Sequence, residues 1–370
     1  MPRLLLFLLF ALLGCQDGGS RGPVLLDTAD TGLPRDTADT DAVDDGPLGF
    51  IGSPCTGDAD CAYTGGVCLT DGYDRGMCSA ACDRYCDDMD GHPTTFCVDG
   101  AQLSGQAADL GAGACHSRCD FSVFPSSGCR PGYGCVVEDR ANEPGTQTWV
   151  CMPGRQTELS QCYLDLAARG VAFEPTVMQP EHPSGYPNLT CTVQDPLFIE
   201  PPVLGVDLTY YDGTPTPRIR AACEMAQALT DTVEDVKAQG VVAIRHIGTY
   251  NCRPIAGTTT LSQHAYANAI DLYGFEFDDG SYYTLIDDWE KDTTDPATDA
   301  GQWLYDAAYR WHDEHLWNII LTPNYNSAHA NHFHVDLTPH ADYIGADGPF
   351  QVRPMDGDCG GPGIQDHYVP

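Results

Sequence analysis

The chain of 370 residues contains eighteen cysteines, and twelve of them lie between Cys55 and Cys151. A cytosolic protein of this length does not sustain so many cysteines unless they bind metals, so disulfides in an oxidising compartment are the first interpretation. Zinc ribbons need Cys-x-x-Cys pairs, and this stretch has none. The pattern predicts a disulfide-rich module over residues 51–155, with six bridges of open connectivity and a binding or spacing role.

The first fifteen residues predict export. Arg3 precedes an apolar run over residues 4–13, which is followed by Gly14 and Cys15. This arrangement is typical of a secretory signal, and the run is shorter than the about 20 residues that span a bilayer. The Leu-Leu-Gly-Cys end resembles a bacterial lipobox, in which Cys15 becomes the lipidated first residue of the mature protein. The alternative is an ordinary signal peptide with an incidental cysteine.

An acidic segment follows the signal peptide. Residues 16–50 contain Asp-Thr-Ala-Asp-Thr twice, at 27–31 and at 36–40, and almost no aromatic residues. Such a composition cannot bury enough apolar surface to fold, so we expect a disordered linker that tethers the rest of the chain to the membrane. A calcium-binding repeat is the alternative, but the segment lacks the glycine spacing of calcium-binding loops.

The formal net charge of −35 bears on the partners of the chain. It argues against nucleic acid and against anionic membrane surfaces, which would repel the protein. Much of the charge lies in linkers and loops, so it indicates solubility rather than a binding face. The length leaves room for two modest domains, and we expect a monomer.

The second half of the chain predicts an α+β domain over residues 156–345, with a mainly antiparallel sheet and flanking helices. Helical periodicity covers residues 218–239 and 299–315, and strand patterns cover 241–247, 317–321 and 332–337. Residues 275–283 predict a hairpin, with Asp279 and Gly280 at its turn. Residues 346–370 are expected to form a C-terminal tail.

Two histidine clusters stand out in this domain. The first runs from His264 to Asp271, and the second contains His332 and His334. A catalytic zinc site uses three imidazole or carboxylate ligands and leaves one position for water. Side chains two apart on a strand share a face, and a histidine and an aspartate seven apart can converge where a loop enters a strand. Together the clusters predict a zinc site; the alternative is that these side chains have structural roles only.

The pattern Ser-x-His-x-x-(Gly/Ala)-x-Ala-x-Asp, followed by a late His-x-His, resembles the LAS-type zinc peptidases. These include lysostaphin-like enzymes, D-alanyl-D-alanine peptidases, the penicillin-insensitive murein endopeptidase and the hedgehog signalling domain. Residues of about 160–340 are more similar to the bacterial extensin-like C-terminal domain family. The segments that carry this similarity are residues 248–253, 262–271 and 321–336.

The resemblance implies a set of roles around Zn²⁺. His264, Asp271 and His334 match the three zinc ligands of these peptidases. His332 matches the histidine that they place beside the metal-bound water, so it is the expected catalytic histidine.

The resemblance also implies supporting roles. His329 matches a second catalytic or orienting histidine, with a position on the loop surface as the alternative. Arg253 matches the arginine that polarises a substrate carbonyl or binds a carboxylate, and a salt bridge to an acidic neighbour is its alternative. Asp336 and Ser262 are expected to support the ligands, since ligating histidines usually need a partner. His246, His312 and His315 are expected to be surface or sheet residues.

Four cysteines match family cysteines and are expected to form two bridges: Cys162, Cys191, Cys223 and Cys252. The family usually has another cysteine where this chain has Glu314, so the partner of Cys359 stays open. Two further departures occur. Ala267 stands where many relatives have glycine, and Asn331 stands where the dipeptidases of the group have a glutamate base.

The sequence favours, without deciding it, a zinc-dependent peptidase that hydrolyses peptidoglycan stem peptides. The resemblance implies this activity, and the lipobox implies a lipid-anchored protein of the cell envelope that faces the periplasm or the cell surface. One alternative is a non-catalytic lipoprotein that keeps the zinc-site fold and binds cell-wall material or proteins. A second alternative assigns the function to the disulfide-rich module.

Overall fold

A computed structural model describes residues 45–345. The predicted signal peptide with Cys15, most of the acidic linker, Cys359 and the tail lie outside the described residues. Within residues 45–345, no helix is long and apolar enough to cross a membrane.

The disulfide-rich module consists of short antiparallel strands joined by turns. Four strands form a sheet in the order β1-β2-β4-β3, and the last two form a separate hairpin. The strands are β1 (Gly66–Leu69), β2 (Met77–Cys82), β3 (Thr95–Asp99), β4 (Gly113–Ser117), β5 (Tyr133–Asp139) and β6 (Gln147–Pro153).

All cysteines between residues 45 and 345 are cross-linked, which confirms the predicted six bridges of the module and two bridges of the following domain. The bridges of the module are Cys55–Cys68, Cys61–Cys78, Cys82–Cys97, Cys86–Cys115, Cys119–Cys135 and Cys129–Cys151. Those of the domain are Cys162–Cys223 and Cys191–Cys252.

The C-terminal domain is an α+β structure with mainly antiparallel sheets, as predicted. Its strands are β7 (Phe173–Pro175), β8 (Pro196–Ile199), β9 (Asp207–Tyr210), β10 (Ile219–Ala222), β11 (Val241–Gly248), β12 (Ala269–Phe277), β13 (Tyr282–Thr284), β14 (Ile319–Leu321), β15 (Phe333–Asp336) and β16 (Tyr343–Ile344). Its helices are α1 (Gln161–Ala168), α2 (Cys223–Lys237) and α3 (Asp299–Asp313). The main sheet has the order β16-β14-β15-β12-β11-β9, with β13 beside β12, and the smaller sheet has the order β10-β8-β7.

The start of helix α2 differs from the prediction. The apolar periodicity suggested a helix from residue 218, but Ile219–Ala222 form strand β10 and pair with β8. Ala222 has an extended backbone, and the helix begins at Cys223. The pairing with β8 satisfies the backbone groups of this segment, so tertiary context overrides its local helical pattern. The predicted hairpin is present, because β12 and β13 pair on either side of Asp279 and Gly280.

One face of the main sheet packs against the helices. Phe275 of β12 and Phe333 of β15 contact Trp311 of α3, with ring centroids 6.0 and 6.2 Å apart, and all three side chains are fully buried. Because side chains alternate along a strand, the residues next to Phe333 point to the other face. That face carries His334 and its direct partner Asp271 in the antiparallel pairing of β12 with β15. A register shift between Leu272 and Gly274 of β12 puts Phe275 on the opposite face from Asp271.

The module and the domain share one hydrophobic core. Phe121 of the module stacks on Phe173 of the domain, with ring centroids 4.8 Å apart. The indole N–H of Trp149 donates to the carbonyl of Thr176 at 3.2 Å. The predicted boundary near residue 155 therefore separates two sets of disulfides, but it does not separate two cores.

Candidate metal centre

Three predicted ligands converge on the open face of the main sheet. His264 Nε2 lies 3.1 Å from His334 Nδ1 and 3.2 Å from Asp271 Oδ1. His334 Nδ1 lies 2.9 Å from the same carboxylate oxygen. His264 and His334 are buried, and Asp271 is half-buried. The structure therefore brings the three side chains to one point, while their role as zinc ligands stays a prediction.

Local structure explains why His264 and Asp271 meet. His264 lies in a 3₁₀ turn over Gln263–Tyr266, and the hydroxyl of Ser262 caps this turn by accepting from the backbone N–H of His264 at 3.4 Å. Ala267 ends the turn in the left-handed conformation, with φ of 52°. The chain then enters β12, where Asp271 faces back toward the turn.

Partners outside the cluster decide which nitrogen of each imidazole carries the proton. His264 Nδ1 faces the carbonyl oxygen of Thr249, which can only accept, so this nitrogen donates. His334 Nε2 lies 2.9 Å from a carboxylate oxygen of Asp336 and donates to it in the same way. The other nitrogen of each neutral ring presents a lone pair to Asp271. Three electron-pair donors at this separation need a cation between them, either a proton or a metal ion.

The acid–base properties of the cluster fit this description. Burial raises the pKa of Asp271, but its contacts with His264 and His334 outweigh burial and hold that pKa well below its usual range. Burial lowers the pKa of His334, but its hydrogen bonds to Asp271 and Asp336 outweigh burial and raise the pKa to about 9. Without a metal ion, a proton on His334 is therefore stabilised where a metal ion would otherwise bind.

His332 lies beside the cluster without belonging to it. At this site, the group whose ligand atoms all lie within 4.8 Å of one another consists of His264, Asp271 and His334. His332 Nε2 is 3.5 Å from Asp271 Oδ1, and burial lowers the pKa of this histidine. Its Nδ1–H donates to the side-chain oxygen of Asn331 at 2.9 Å. Asn331 thus orients His332. In the sequence, Asn331 stands where the dipeptidases of the group have a glutamate base, and that position did not suggest this role.

His329 faces the same site. Its ring lies 5.2 Å from that of His332 and 5.8 Å from that of His334, between centroids. Its Nδ1–H donates to the side-chain oxygen of Asn326 at 2.8 Å. Burial, together with the neighbouring histidines, lowers the pKa of His329 to about 4. Of the two positions considered for it, the structure gives the one at the site.

Arg253 is exposed at the rim. It follows β11, and its carbonyl oxygen accepts from the backbone N–H of Ser262 at 3.1 Å. In the described part of the chain its guanidinium forms no salt bridge, which was the structural alternative for this residue. Its positive charge contributes to the low pKa of His329, so it lies within electrostatic reach of the site.

Sequence reasoning missed the position of one further histidine. His246 is a sheet residue, as expected, but it is fully buried in β11 and its Nε2 lies 2.8 Å from the hydroxyl of Thr216. Burial lowers its pKa to about 4, and the charge of Asp271 opposes this shift, which places His246 near the cluster. In the sequence, the only feature that could have indicated this position was that His246 lies in a predicted strand. His312 and His315 lie elsewhere, at the end of α3.

The comparison with known families covers the whole C-terminal domain. Residues 160–345 match the family described as "Extensin-like protein C-terminus". The match includes every residue of the cluster and both disulfides of the domain, and it excludes the disulfide-rich module. No curated protein and no solved structure matches the chain significantly.

Proposed function

We propose that this chain, which belongs to the extensin-like protein C-terminus family, is a lipid-anchored zinc peptidase of the cell envelope. Its substrates would be the stem peptides of peptidoglycan. The observation that supports the proposal is the convergence of three electron-pair donors beside His332, whose pKa burial lowers.

The donor set suits Zn²⁺. His264, Asp271 and His334 would hold the ion, and two imidazoles with one carboxylate are typical of catalytic zinc sites with an open position. Thr249 and Asp336 orient the two rings, as partners of zinc-bound histidines commonly do. Zinc bound there would polarise a peptide carbonyl and lower the pKa of a water molecule.

The surrounding residues suit the proton transfers of peptide hydrolysis. His332 is neutral near pH 7 because burial lowers its pKa, so its Nε2 can accept a proton at the edge of the cluster. His329 supplies a second neutral imidazole, which lies beside the ring of His332. The guanidinium of Arg253 can donate to a substrate carbonyl or carboxylate at the rim.

The proposed substrate follows from the predicted location. A lipid on Cys15 and an acidic tether would hold the domain at the membrane, within reach of the peptides of the cell wall. The net charge of −35 would disfavour polyanionic ligands. The rival function is recognition of the same material without cleavage.

Metal analysis of the full-length protein, followed by digestion of purified peptidoglycan, tests the proposal. We expect one zinc per chain and peptide fragments in the mass spectrum. His264→Ala should lose zinc and activity, whereas His332→Ala should keep zinc and lose activity. His340→Ala, an exposed histidine of the same domain, is the matched control and should change neither. Zinc without fragments would favour the binding function, and no zinc would reject the zinc peptidase.

A further inference from the structure

The segment after β11 holds the turn that carries His264. The carbonyl of Thr249 accepts from the imidazole of His264, and the backbone N–H of Asn251 donates to the carbonyl of His264 at 3.0 Å. Two residues later, the carbonyl of Arg253 accepts from the backbone N–H of Ser262 at 3.1 Å. Three contacts from one short segment thus fix the backbone and the ring of a predicted ligand.

Within this segment, Cys252 is tied to a separate loop. Its disulfide partner Cys191 forms two backbone hydrogen bonds with Glu181, of 2.8 and 3.1 Å. The same loop receives the hydroxyl of Tyr250, which donates to the carboxylate of Glu181 at 3.0 Å. The loop and the segment are therefore joined by one covalent bond and one side-chain hydrogen bond.

The segment has few other supports. β11 ends at Gly248, and between it and the turn that carries His264 the described chain has one isolated bridge, between Pro254 and Leu261. The hydroxyl of Thr249 donates to the carbonyl of Arg220, which supports the start of the segment. Asn251 lies at its exposed surface. The disulfide is thus the covalent support nearest to the groups that orient His264.

We propose that the Cys191–Cys252 disulfide is a positioning element of the metal centre, an inference that rests on the proposed zinc site. The bridge keeps the carbonyl of Thr249 against His264 Nδ1, and this contact directs the lone pair of Nε2 toward Asp271. Without the bridge, the segment moves away from the turn, and the protein binds zinc more weakly although its core remains intact.

The domain contains a matched control. Cys162–Cys223 joins residues 61 apart in the sequence, as does Cys191–Cys252, so the two bridges close loops of equal length in the unfolded chain. Cys223 begins the core-packed helix α2. Next to Cys223, the backbone N–H of Ala222 donates to the carbonyl of Ala267, at the end of the turn that carries His264. The control bridge therefore also lies close to the site, which makes the comparison more demanding.

The test compares zinc affinity in two full-length double variants, measured by competition with a chromophoric chelator below the unfolding temperature of each. Cys191→Ser with Cys252→Ser should lower the affinity about tenfold or more, as loss of a ligand-orienting contact does. Cys162→Ser with Cys223→Ser should lower it by less than about threefold. Equal affinities in the two variants would overturn the inference.

The inference also requires the domain to stay folded without this bridge, and circular dichroism of the first variant checks this. A first variant that does not fold would overturn the inference, because the bridge would then hold the core rather than position the metal centre. Absence of zinc binding in the unmodified protein would instead overturn the proposed function, and this inference with it.

Discussion

The disulfide-rich module and the extensin-like domain reach a fixed structure by different means. Among residues 45–345, the module contains six of the eight disulfides and short strands, whereas the domain contains two disulfides and all three α-helices. Cross-links stabilise the module by restricting its unfolded chain. In the domain, helices cover one face of the main sheet, and the other face is left for polar side chains. The candidate site lies on that second face.

The largest expected effect concerns the disulfides of the module. Its six bridges close loops of 13 to 29 residues, and each contributes about 3 kcal/mol to the free energy of unfolding, against about 5–15 kcal/mol for a whole protein. We expect reductant to unfold the module first. Limited proteolysis after reduction should cleave residues 51–155 before residues 156–345. Unreduced protein, labelled with a thiol reagent, is the control and should show no free thiol in the module. Simultaneous digestion of both regions would contradict the comparison.

The shared core gives the next largest effect. Phe121 is buried and stacks on Phe173, so Phe121→Ala should lower the free energy of unfolding by about 3–5 kcal/mol. Urea denaturation measures this change. The control is Tyr85→Ala, because Tyr85 is 64% exposed and should contribute less than about 1 kcal/mol. If Phe121→Ala lowered the stability of the module but not that of the domain, the two regions would unfold independently, which would contradict a shared core.

The fold could be predicted where patterns are local. The hairpin at Asp279 and Gly280 follows from its turn residues, and two bridges in the domain followed from its similarity to the family. The stacking of Phe121 on Phe173 joins residues far apart in the sequence, and no local pattern contains it. The burial of His246 and the pairing of Ile219–Ala222 with β8 depend on tertiary packing in the same way.

The candidate site shows the same limit. His264, Asp271 and His334 were predicted as a set because they match the zinc ligands of a family pattern, and the structure adds that Asp271 and His334 are strand partners. The carbonyl of Thr249 and the amide of Asn331 were not predicted as partners of the histidines. A backbone carbonyl has no sequence signature, and an asparagine is recognised as a partner only when its neighbour is seen.

Asp336→Asn tests the orientation of His334. An asparagine that donates through its amide would make His334 Nε2 an acceptor, which moves the ring proton to Nδ1, where a metal ion would bind. We expect zinc affinity to fall about ten- to hundredfold, or about 1.4–2.7 kcal/mol, with little change of fold. Competition with a chelator measures the affinity, and circular dichroism checks the fold. Asp342→Asn, which removes a carboxylate near His312 instead, is the matched control. Unchanged affinity in Asp336→Asn would remove Asp336 from the site.

The pH dependence of zinc binding should be steep. The pKa of His334 is raised to about 9 in the metal-free protein, so below pH 9 this histidine must lose a proton before zinc binds. Zinc affinity should therefore rise by about tenfold per pH unit from pH 7 and level off near pH 9. Calorimetric titration in buffers of different ionisation enthalpy would count the proton released. Affinity that is independent of pH between 7 and 9 would contradict a raised pKa at His334.

The smallest effect is expected at Ala267, the position where many relatives have glycine. Its left-handed backbone, with φ of 52°, costs an alanine about 1–2 kcal/mol, and Ala267→Gly removes that cost. Two losses of stability oppose this gain. Glycine increases the entropy of the unfolded chain, which lowers the free energy of unfolding by about 0.4–1 kcal/mol. The buried methyl group of Ala267 is also lost, which lowers it by about 0.8 kcal/mol. We expect urea denaturation to show a net change within about 1 kcal/mol, and zinc affinity should stay the same because the turn keeps its shape. Ala267→Val adds branching at the same backbone angle and should destabilise the domain clearly, since valine tolerates this region poorly. Equal stability of the valine and glycine variants would mean that the turn does not require the left-handed conformation, and the position of His264 would then need another explanation.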